Sequence, residues 1–315
     1  MPRERLAGRR DEALAPPPAP APAPVDRLLQ LQRSAGNAAV ARAILARQAG
    51  PPPRDEKKYF MAWVYESHGW RPSTGLGKFD VSYDPKTGVL DITVKCKFWF
   101  REGKPEDFDE ELEPRGWEWK PDQLLKWKAD FMRRVSAKWS DQFTFHCTRD
   151  GWEELQAAVK VHFVESEEKD AHYELQVSKI PETDSKQSRV RRPPKHNARR
   201  GKAFLDSGDL AQEEKGDYSQ TVAFHEAGHM LGLGDEYNKD KKPAHEKLVQ
   251  AEFGHGVPRH KDGRLMSQGD LIGPEYGVTF LEALRMITGI PWSFNAKPPG
   301  HAQAEPKQEP QVAVA

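Results

Sequence analysis

Apolar and polar residues alternate along one part of the chain. Every second residue from Leu90 to Phe100 is apolar, and a shorter alternating run, Phe79–Tyr83, precedes it. A period of two places the apolar side chains on one face of a β-strand. Turn-forming residues from Asp84 to Gly88 separate the two runs, so the pattern predicts a β-hairpin. Two further strands are predicted at Ala157–Val164 and His172–Val177.

Apolar residues also recur at helical spacing in three stretches. Pro121 opens the first helix, whose apolar side chains, three or four residues apart, are Leu124, Trp127, Phe131, Val135 and Trp139. Residues 218–233 and Val278–Ile287 are predicted to form the second and third helices. A hairpin, separate strands and separate helices together predict an α+β fold.

The composition sets limits on how much of the chain can fold. Of the 315 residues 37% are apolar and 30% are charged, and the mean hydropathy is −0.82, which is too polar for every segment to join a core. Proline and alanine alternate within residues 13–24. We therefore predict a tail at 1–57, a folded domain at 58–295 with subdomains 58–217 and 218–295, and a disordered tail at 296–315.

The balance of charges, the two cysteines and the N-terminal sequence indicate which partners the protein binds and where it is synthesised. The 48 basic and 48 acidic residues cancel, so we expect neither nucleic acid nor a membrane as a partner. The N-terminus lacks the apolar core of a signal peptide, which predicts synthesis in the cytoplasm. Cys96 and Cys147 are expected to be reduced and buried, with a single disulfide between them as the alternative. The basic segment 185–202 is predicted to be a solvated loop, with a phosphate-binding patch as the alternative.

The clearest chemical signal is a pair of histidines one helical turn apart. His225 and His229 occupy positions i and i+4 of the second predicted helix, so their imidazoles project from one face. Two such imidazoles can bind one zinc ion at about 2.0–2.1 Å. Glu226 lies next to the first histidine, where its carboxylate can take a proton from a zinc-bound water and pass it to a leaving amine. Gly228, between the histidines, allows another segment to approach the helix.

The residues after the second histidine extend this signal. Gly232 can turn the chain sharply, and Asp235 stands ten residues after His225. This run, HExxHxxGxxD, resembles that of the metzincin zinc peptidases, in their variant with an aspartate as the third ligand. The resemblance implies a twisted mixed sheet, an active-site helix and a zinc ion held by His225, His229 and Asp235. It also implies a methionine turn beneath the metal, for which Met266 is the candidate.

Two roles have more than one candidate. Glu236 and Glu275 are the alternatives to Asp235 as third ligand, because a glutamate from a later helix is the thermolysin-like pattern. We favour Asp235, since its spacing matches a known arrangement of three protein ligands. The position after the methionine turn at which some metzincins carry an oxyanion-stabilising tyrosine has none, and Tyr276 and Tyr237 are the substitutes.

These residues predict a zinc-dependent metalloendopeptidase that hydrolyses a protein or peptide substrate. The alternative is a catalytically inactive cargo or adaptor protein of a contractile injection system. Residues 31–44 resemble the LQRxxGNxAV motif of bacterial proteins associated with extracellular contractile injection systems. This resemblance implies a delivered effector or toxin, exported or injected by such a system, whose N-terminal tail binds components of that system.

Overall fold

In the computed structural model, the chain is described over residues 54–103, 117–181, 188–191, 200–215, 217–237, 242–258 and 263–295. The predicted tail at 296–315 and the injection-system motif lie outside these ranges. The tail predicted for 1–57 overlaps them by four residues, which belong to a helix, Arg54–Phe60. Phe60 in that helix is buried, and Glu56 accepts two hydrogen bonds from Arg149 at 3.0 and 2.9 Å. The folded part therefore extends at least to Arg54, beyond the predicted boundary.

The described residues form strands that fall into two sheets. The strands are β1 (Tyr65–Trp70), β2 (Phe79–Asp84), β3 (Val89–Arg101), β4 (Thr144–Cys147), β5 (Gln156–Glu165), β6 (Tyr173–Ser178), β7 (Arg189–Arg191), β8 (Gly201–Asp206), β9 (Gln212–Lys215), β10 (Tyr218–Thr221) and β11 (Trp292–Ser293). Strands β9 and β10 pair with each other in a small antiparallel sheet, and the others form one nine-stranded sheet.

The large sheet is mixed and is organised around β3. Its main path runs β11-β4-β5-β3-β6-β8-β7, and strands β3, β5, β6 and β8 are mutually parallel. One side of β3 pairs with β5, while the other side pairs first with β2 in the predicted hairpin and then with β6. The antiparallel strands β4 and β7 lie beside β5 and β8. The α+β class and the hairpin predicted from the alternation are confirmed.

The helices cover one face of the sheet. They are α1 (Arg54–Phe60), α2 (Pro121–Trp139), α3 (Val222–Met230), α4 (Glu246–Phe253) and α5 (Val278–Thr288), with 3-10 turns at Glu168–Asp170 and Pro274–Gly277. Helices α2 and α5 confirm the predictions from Pro121 and Val278. None of these helices is long and apolar enough to cross a membrane.

The predicted helix at 218–233 is wrong at both ends. Tyr218–Thr221 is strand β10, whose backbone groups are paired with β9 rather than with a helical turn. Helix α3 ends at Met230, and Gly232 follows with a φ of +102°. Such a φ favours glycine and reverses the chain, which confirms the predicted turn at Gly232.

Aromatic packing fixes α2 and α3 on the sheet. Phe131 of α2 is fully buried, and its ring meets those of Phe98 on β3 and Phe163 on β5 edge to face at 5.8 and 5.9 Å. At the end of α2, the indole N–H of Trp139 donates to the carbonyl of Phe224 in α3 at 3.2 Å. The sheet therefore positions α2, and α2 positions the helix that carries both histidines.

We expect Phe131→Ala to lower the free energy of unfolding by about 3–5 kcal/mol, because it leaves a cavity between the sheet and α2. Leu125→Ala on the same helix is the matched control, since that side chain is 57% exposed and its loss should change stability by less than about 0.5 kcal/mol. Urea denaturation followed by tryptophan fluorescence measures both. Equal effects would contradict the placement of Phe131 in the core.

Candidate metal centre

Helix α3 carries both histidines, and a backbone carbonyl holds each imidazole ring at its Nδ1 atom. The Nδ1 atom of His225 lies 2.8 Å from the carbonyl oxygen of Leu265, and Nδ1 of His229 lies 2.9 Å from that of Leu233. A carbonyl only accepts, so each Nδ1 carries the proton in these hydrogen bonds. In each neutral ring the lone pair is then on Nε2, the arrangement that is usual for metal-binding histidines.

Asp235 completes the arrangement in front of the two rings. Its Oδ1 atom lies 3.2 Å from Nε2 of His225 and 3.2 Å from Nε2 of His229. Ligands about 2.0–2.1 Å from a tetrahedral zinc ion are separated by about 3.4 Å, so the spacing suits that metal. Three electron-pair donors converge here, and this is unfavourable unless a cation lies among them. The residues present therefore fit a zinc ion.

The charges of this group respond to one another. Burial alone would raise the pKa of Asp235, but hydrogen bonds and attraction from His225 and His229 outweigh it and hold that pKa well below its usual range. Burial would lower the pKa of His229, but the Asp235 carboxylate and nearby Glu226 raise it instead. A cation at this point is thus favoured electrostatically, whether it is a proton or a metal ion.

Glu226 lies beside the histidines and is buried. One ligand atom from each of His225, Glu226 and His229 falls within 4.8 Å of the others. The Glu226 Oε2 atom is buried and has no hydrogen-bond partner among the described residues. Burial raises the pKa of Glu226, against the attraction of the two histidines. We assign the ligand role to Asp235 and not to Glu226, because only Asp235 has an oxygen 3.2 Å from both Nε2 atoms.

The turn formed by residues 264–269, called the methionine turn here because it carries Met266, packs under α3 at the glycine between the histidines. A Cβ placed on Gly228 would lie 2.3 Å from Sδ of Met266 and 3.2 Å from Cζ2 of Trp139. Met266 is fully buried, and its turn is closed by the N–H groups of Ser267 and Gly269, both donating to the Arg264 carbonyl at 3.0 Å. The predicted close approach at Gly228 is confirmed, and Met266 is the residue that makes it.

Gln220 is a supporting residue that the sequence pattern did not single out. Its side-chain amide nitrogen, which is buried, lies 2.9 Å from the carbonyl of Leu265, 3.2 Å from that of Ser267 and 3.3 Å from that of Gly269. The same Leu265 carbonyl receives the Nδ1 proton of His225. Gln220 thus ties the methionine turn to the orientation of the first histidine, a contact that only the tertiary fold creates.

The two rival ligands, Glu236 and Glu275, are engaged elsewhere. Oε2 of Glu236 lies 3.0 Å from Nε of Arg264 and accepts the Tyr276 hydroxyl at 3.0 Å, while Arg264 Nη2 reaches Glu275 Oε2 at 3.1 Å. All four side chains are buried. Burial would raise the pKa of Glu236, but His245 and Arg264 lower it, so its carboxylate is charged. These two glutamates face Arg264 instead of the histidine pair.

The same ionic cluster anchors the segment that carries Asp235. The N–H of Gly234 donates to Nδ1 of His245 at 3.1 Å, and the N–H of Glu236 donates to the carbonyl of Met266 at 2.8 Å. Both neighbours of Asp235 in the sequence are therefore fixed. Through the Glu236 carboxylate and Met266, the third candidate ligand is joined to the methionine turn.

The two candidate tyrosines differ in position. Tyr276 is fully buried, and its hydroxyl donates to Glu236 and accepts from the Met266 N–H at 3.1 Å, so it supports the methionine turn and is not free to meet an oxyanion. Tyr237 is 48% exposed, and its ring stacks near His225 with centroids 6.4 Å apart. Burial, followed by the Asp235 carboxylate, raises the pKa of Tyr237 to about 12, which keeps the phenol protonated.

Strand β7 lies at the edge of the sheet next to α3. In the described part of the chain it pairs only with β8. Strand β7 packs against α3, and the backbone of Val190, in the middle of β7, acts against the burial that raises the pKa of Glu226. The edge strand therefore runs past the buried glutamate.

We expect Gly228→Ala to lower the free energy of unfolding by about 1–3 kcal/mol, because the new methyl group overlaps Met266. This is opposite to the gain of about 1 kcal/mol that alanine normally gives in a helix. In a Met266→Ala background the same substitution should lower the free energy of unfolding much less, because the sulfur that the new methyl group would overlap is absent. Chemical denaturation of the four proteins measures this coupling. Additive effects would contradict the contact between Met266 and Gly228.

Comparison with models of protein families, with curated proteins and with solved structures finds no match to this chain. No relative therefore supplies a function or a set of equivalent residues. Among the described residues, the group His225, Glu226, His229 and Asp235 is the most chemically specific arrangement of side chains.

Proposed function

We propose that this chain is a metzincin-like, zinc-dependent metalloendopeptidase. The observation that carries the proposal is the convergence of Nε2 of His225, Nε2 of His229 and Oδ1 of Asp235, with both Nδ1 atoms held by backbone carbonyls. Zinc bound there would supply a Lewis acid that polarises a carbonyl and lowers the pKa of a water molecule to about 7. A peptide bond is the substrate group that this chemistry serves.

Glu226 supplies the proton transfers of the proposed reaction. Its Oε2 atom is buried without a hydrogen-bond partner among the described residues, so it is free to accept a proton from the attacking water. The raised pKa of Glu226 helps its carboxyl to hold that proton until the amine leaves and takes it. One residue thereby acts first as base and then as acid.

Tyr237 is the residue best placed to stabilise the oxyanion. Its phenol is protonated, half exposed and close to both His225 and Asp235. A hydroxyl at that position can direct its donor to the oxygen on which negative charge develops. Tyr276 cannot take this role, because its hydroxyl already donates to Glu236 and accepts from the N–H of Met266.

Strand β7 offers a way to hold an extended peptide beside Glu226. An edge strand presents unpaired backbone N–H and C=O groups, to which a peptide can add as a further strand. Main-chain pairing holds an extended segment in the interior of a chain, as the cleavage of internal peptide bonds requires. The proposed delivery by an injection system rests on the N-terminal motif alone and stays a prediction.

We expect one zinc per chain in Glu226→Gln, together with a loss of peptide hydrolysis of at least about 100-fold, because only the proton carrier is removed. Zinc should be lost from Asp235→Ala and kept in Glu275→Ala, its matched control. Metal analysis of proteins purified from zinc-supplemented medium gives the stoichiometry, and cleavage of an unfolded protein gives the activity. Zinc that survives Asp235→Ala but not Glu275→Ala would contradict the ligand assignment.

Arg264→Met tests whether the ionic cluster positions Asp235. We expect a 10- to 100-fold weaker zinc affinity, measured by competition with a chelator, because the segment around Asp235 loses its anchor. In an Asp235→Ala background the same substitution should change zinc affinity little. Arg285→Met, which removes the more exposed ion pair with Glu252, is the control. An equal effect of Arg264→Met in both backgrounds would mean that Arg264 acts on stability alone.

A further inference from the structure

The basic segment at 185–202 contributes two arginines to the edge strand beside Glu226. Arg189 and Arg191 are both exposed, and they belong to the strand that packs against α3, the helix that carries Glu226. The segment was predicted to be a solvated loop, yet its residues Arg189–Arg191 are paired with β8 in the large sheet. The strand that packs against the proposed catalytic helix therefore carries two positive charges.

The positive charge of these arginines is not balanced locally. Their guanidinium carbons lie 5.2 and 5.0 Å from the ring centroid of Phe204, which holds both groups over β8. No carboxylate of the described residues lies within 4.0 Å of either group. Lys202 on the same face differs, because its ammonium is 3.7 Å from Glu174. The two arginines thus keep their charge available to a ligand.

The register of β7 determines which side chains of a bound peptide would meet them. Arg189 and Arg191 pair with Phe204 and Lys202, whereas Val190 pairs with the buried Ala203. Both arginines therefore project from the sheet face opposite to the helices. A peptide added to the edge of β7 that no described strand occupies would place every second side chain on that face, about 5 Å from its cross-strand neighbour.

We infer that the protein selects acidic peptides, with Asp or Glu at two positions separated by one residue. This inference rests on the proposed function. The alternation matches the spacing of Arg189 and Arg191, and the sign of the charge matches their guanidinium groups. A peptide is favoured over a nucleic acid because the edge of β7 offers backbone groups that pair with another main chain. The intervening side chain of the substrate points towards α3 and carries no charge requirement.

Cleavage of three matched peptides tests this inference. They share one scaffold and carry, at two alternate positions, a pair of Glu, of Gln or of Lys residues. We expect the Glu peptide to be cleaved with a kcat/KM about fivefold higher than the Gln peptide, as two exposed ion pairs would give. The advantage should shrink in high salt. Mass spectrometry of the products should place the cut at a constant distance from the acidic pair.

Charge reversal supplies the decisive variant. In Arg189→Glu with Arg191→Glu the order of the Glu and Lys peptides should invert, while the Gln peptide is cleaved as before. Lys126→Glu with Arg133→Glu, on the exposed side of α2, makes the same change of net charge and should leave the order intact.

Two results would overturn the inference. Equal cleavage of the three peptides by the natural protein would do so and would leave the proposed peptidase standing. So would competition by a single-stranded oligonucleotide without any preference for the Glu peptide, since the arginines would then serve a nucleic acid. A protein with neither zinc nor cleavage of any peptide would overturn the proposed function as well, and metal analysis separates that outcome from the others.

Discussion

Three electron-pair donors meet at one point in this protein, and much of the surrounding structure serves to hold them there. Two imidazole nitrogens and a carboxylate oxygen repel one another unless a cation lies between them. The backbone carbonyls of Leu265 and Leu233 fix the rings, and the anchored neighbours Gly234 and Glu236 fix the carboxylate. Because these supports join the segment after α3 to His245 and to the methionine turn, the group can form only when these three parts of the chain are in place.

The buried cluster around Arg264 places several charged groups in the protein interior, which is electrostatically unfavourable in itself. Burying charges is unfavourable unless each finds partners, and here Glu236 and Glu275 share one arginine while Tyr276 also donates to Glu236. In return, the cluster connects the Asp235 segment to the turn that packs under the histidines. A well-packed apolar core would be no less stable, which suggests that the cluster is retained for position and not for stability.

Local chemistry made part of the site predictable. The spacing of His225 and His229 fixes their common helix face, and Gly228 signalled the close approach that Met266 makes. Contacts between distant segments leave no such pattern in the sequence. Gln220 lay within a predicted helix but belongs to strand β10, because pairing with β9 prevails over the local pattern. The roles of the two tyrosines and two rival glutamates depended on burial, which spacing alone does not determine. The alternation in β3 was predictable since one face of the sheet is buried.

The central claim is that His225, His229 and Asp235 bind one zinc ion. The most direct measurement is a crystal structure of the zinc-supplemented Glu226→Gln protein with an anomalous difference map recorded at the zinc absorption edge. We predict a single peak bonded to Nε2 of both histidines and to a carboxylate oxygen of Asp235, each at about 2.0–2.2 Å, with residue 226 outside the coordination sphere. A peak bonded to Glu236 or Glu275, or the absence of any peak between the two imidazoles, would contradict the account.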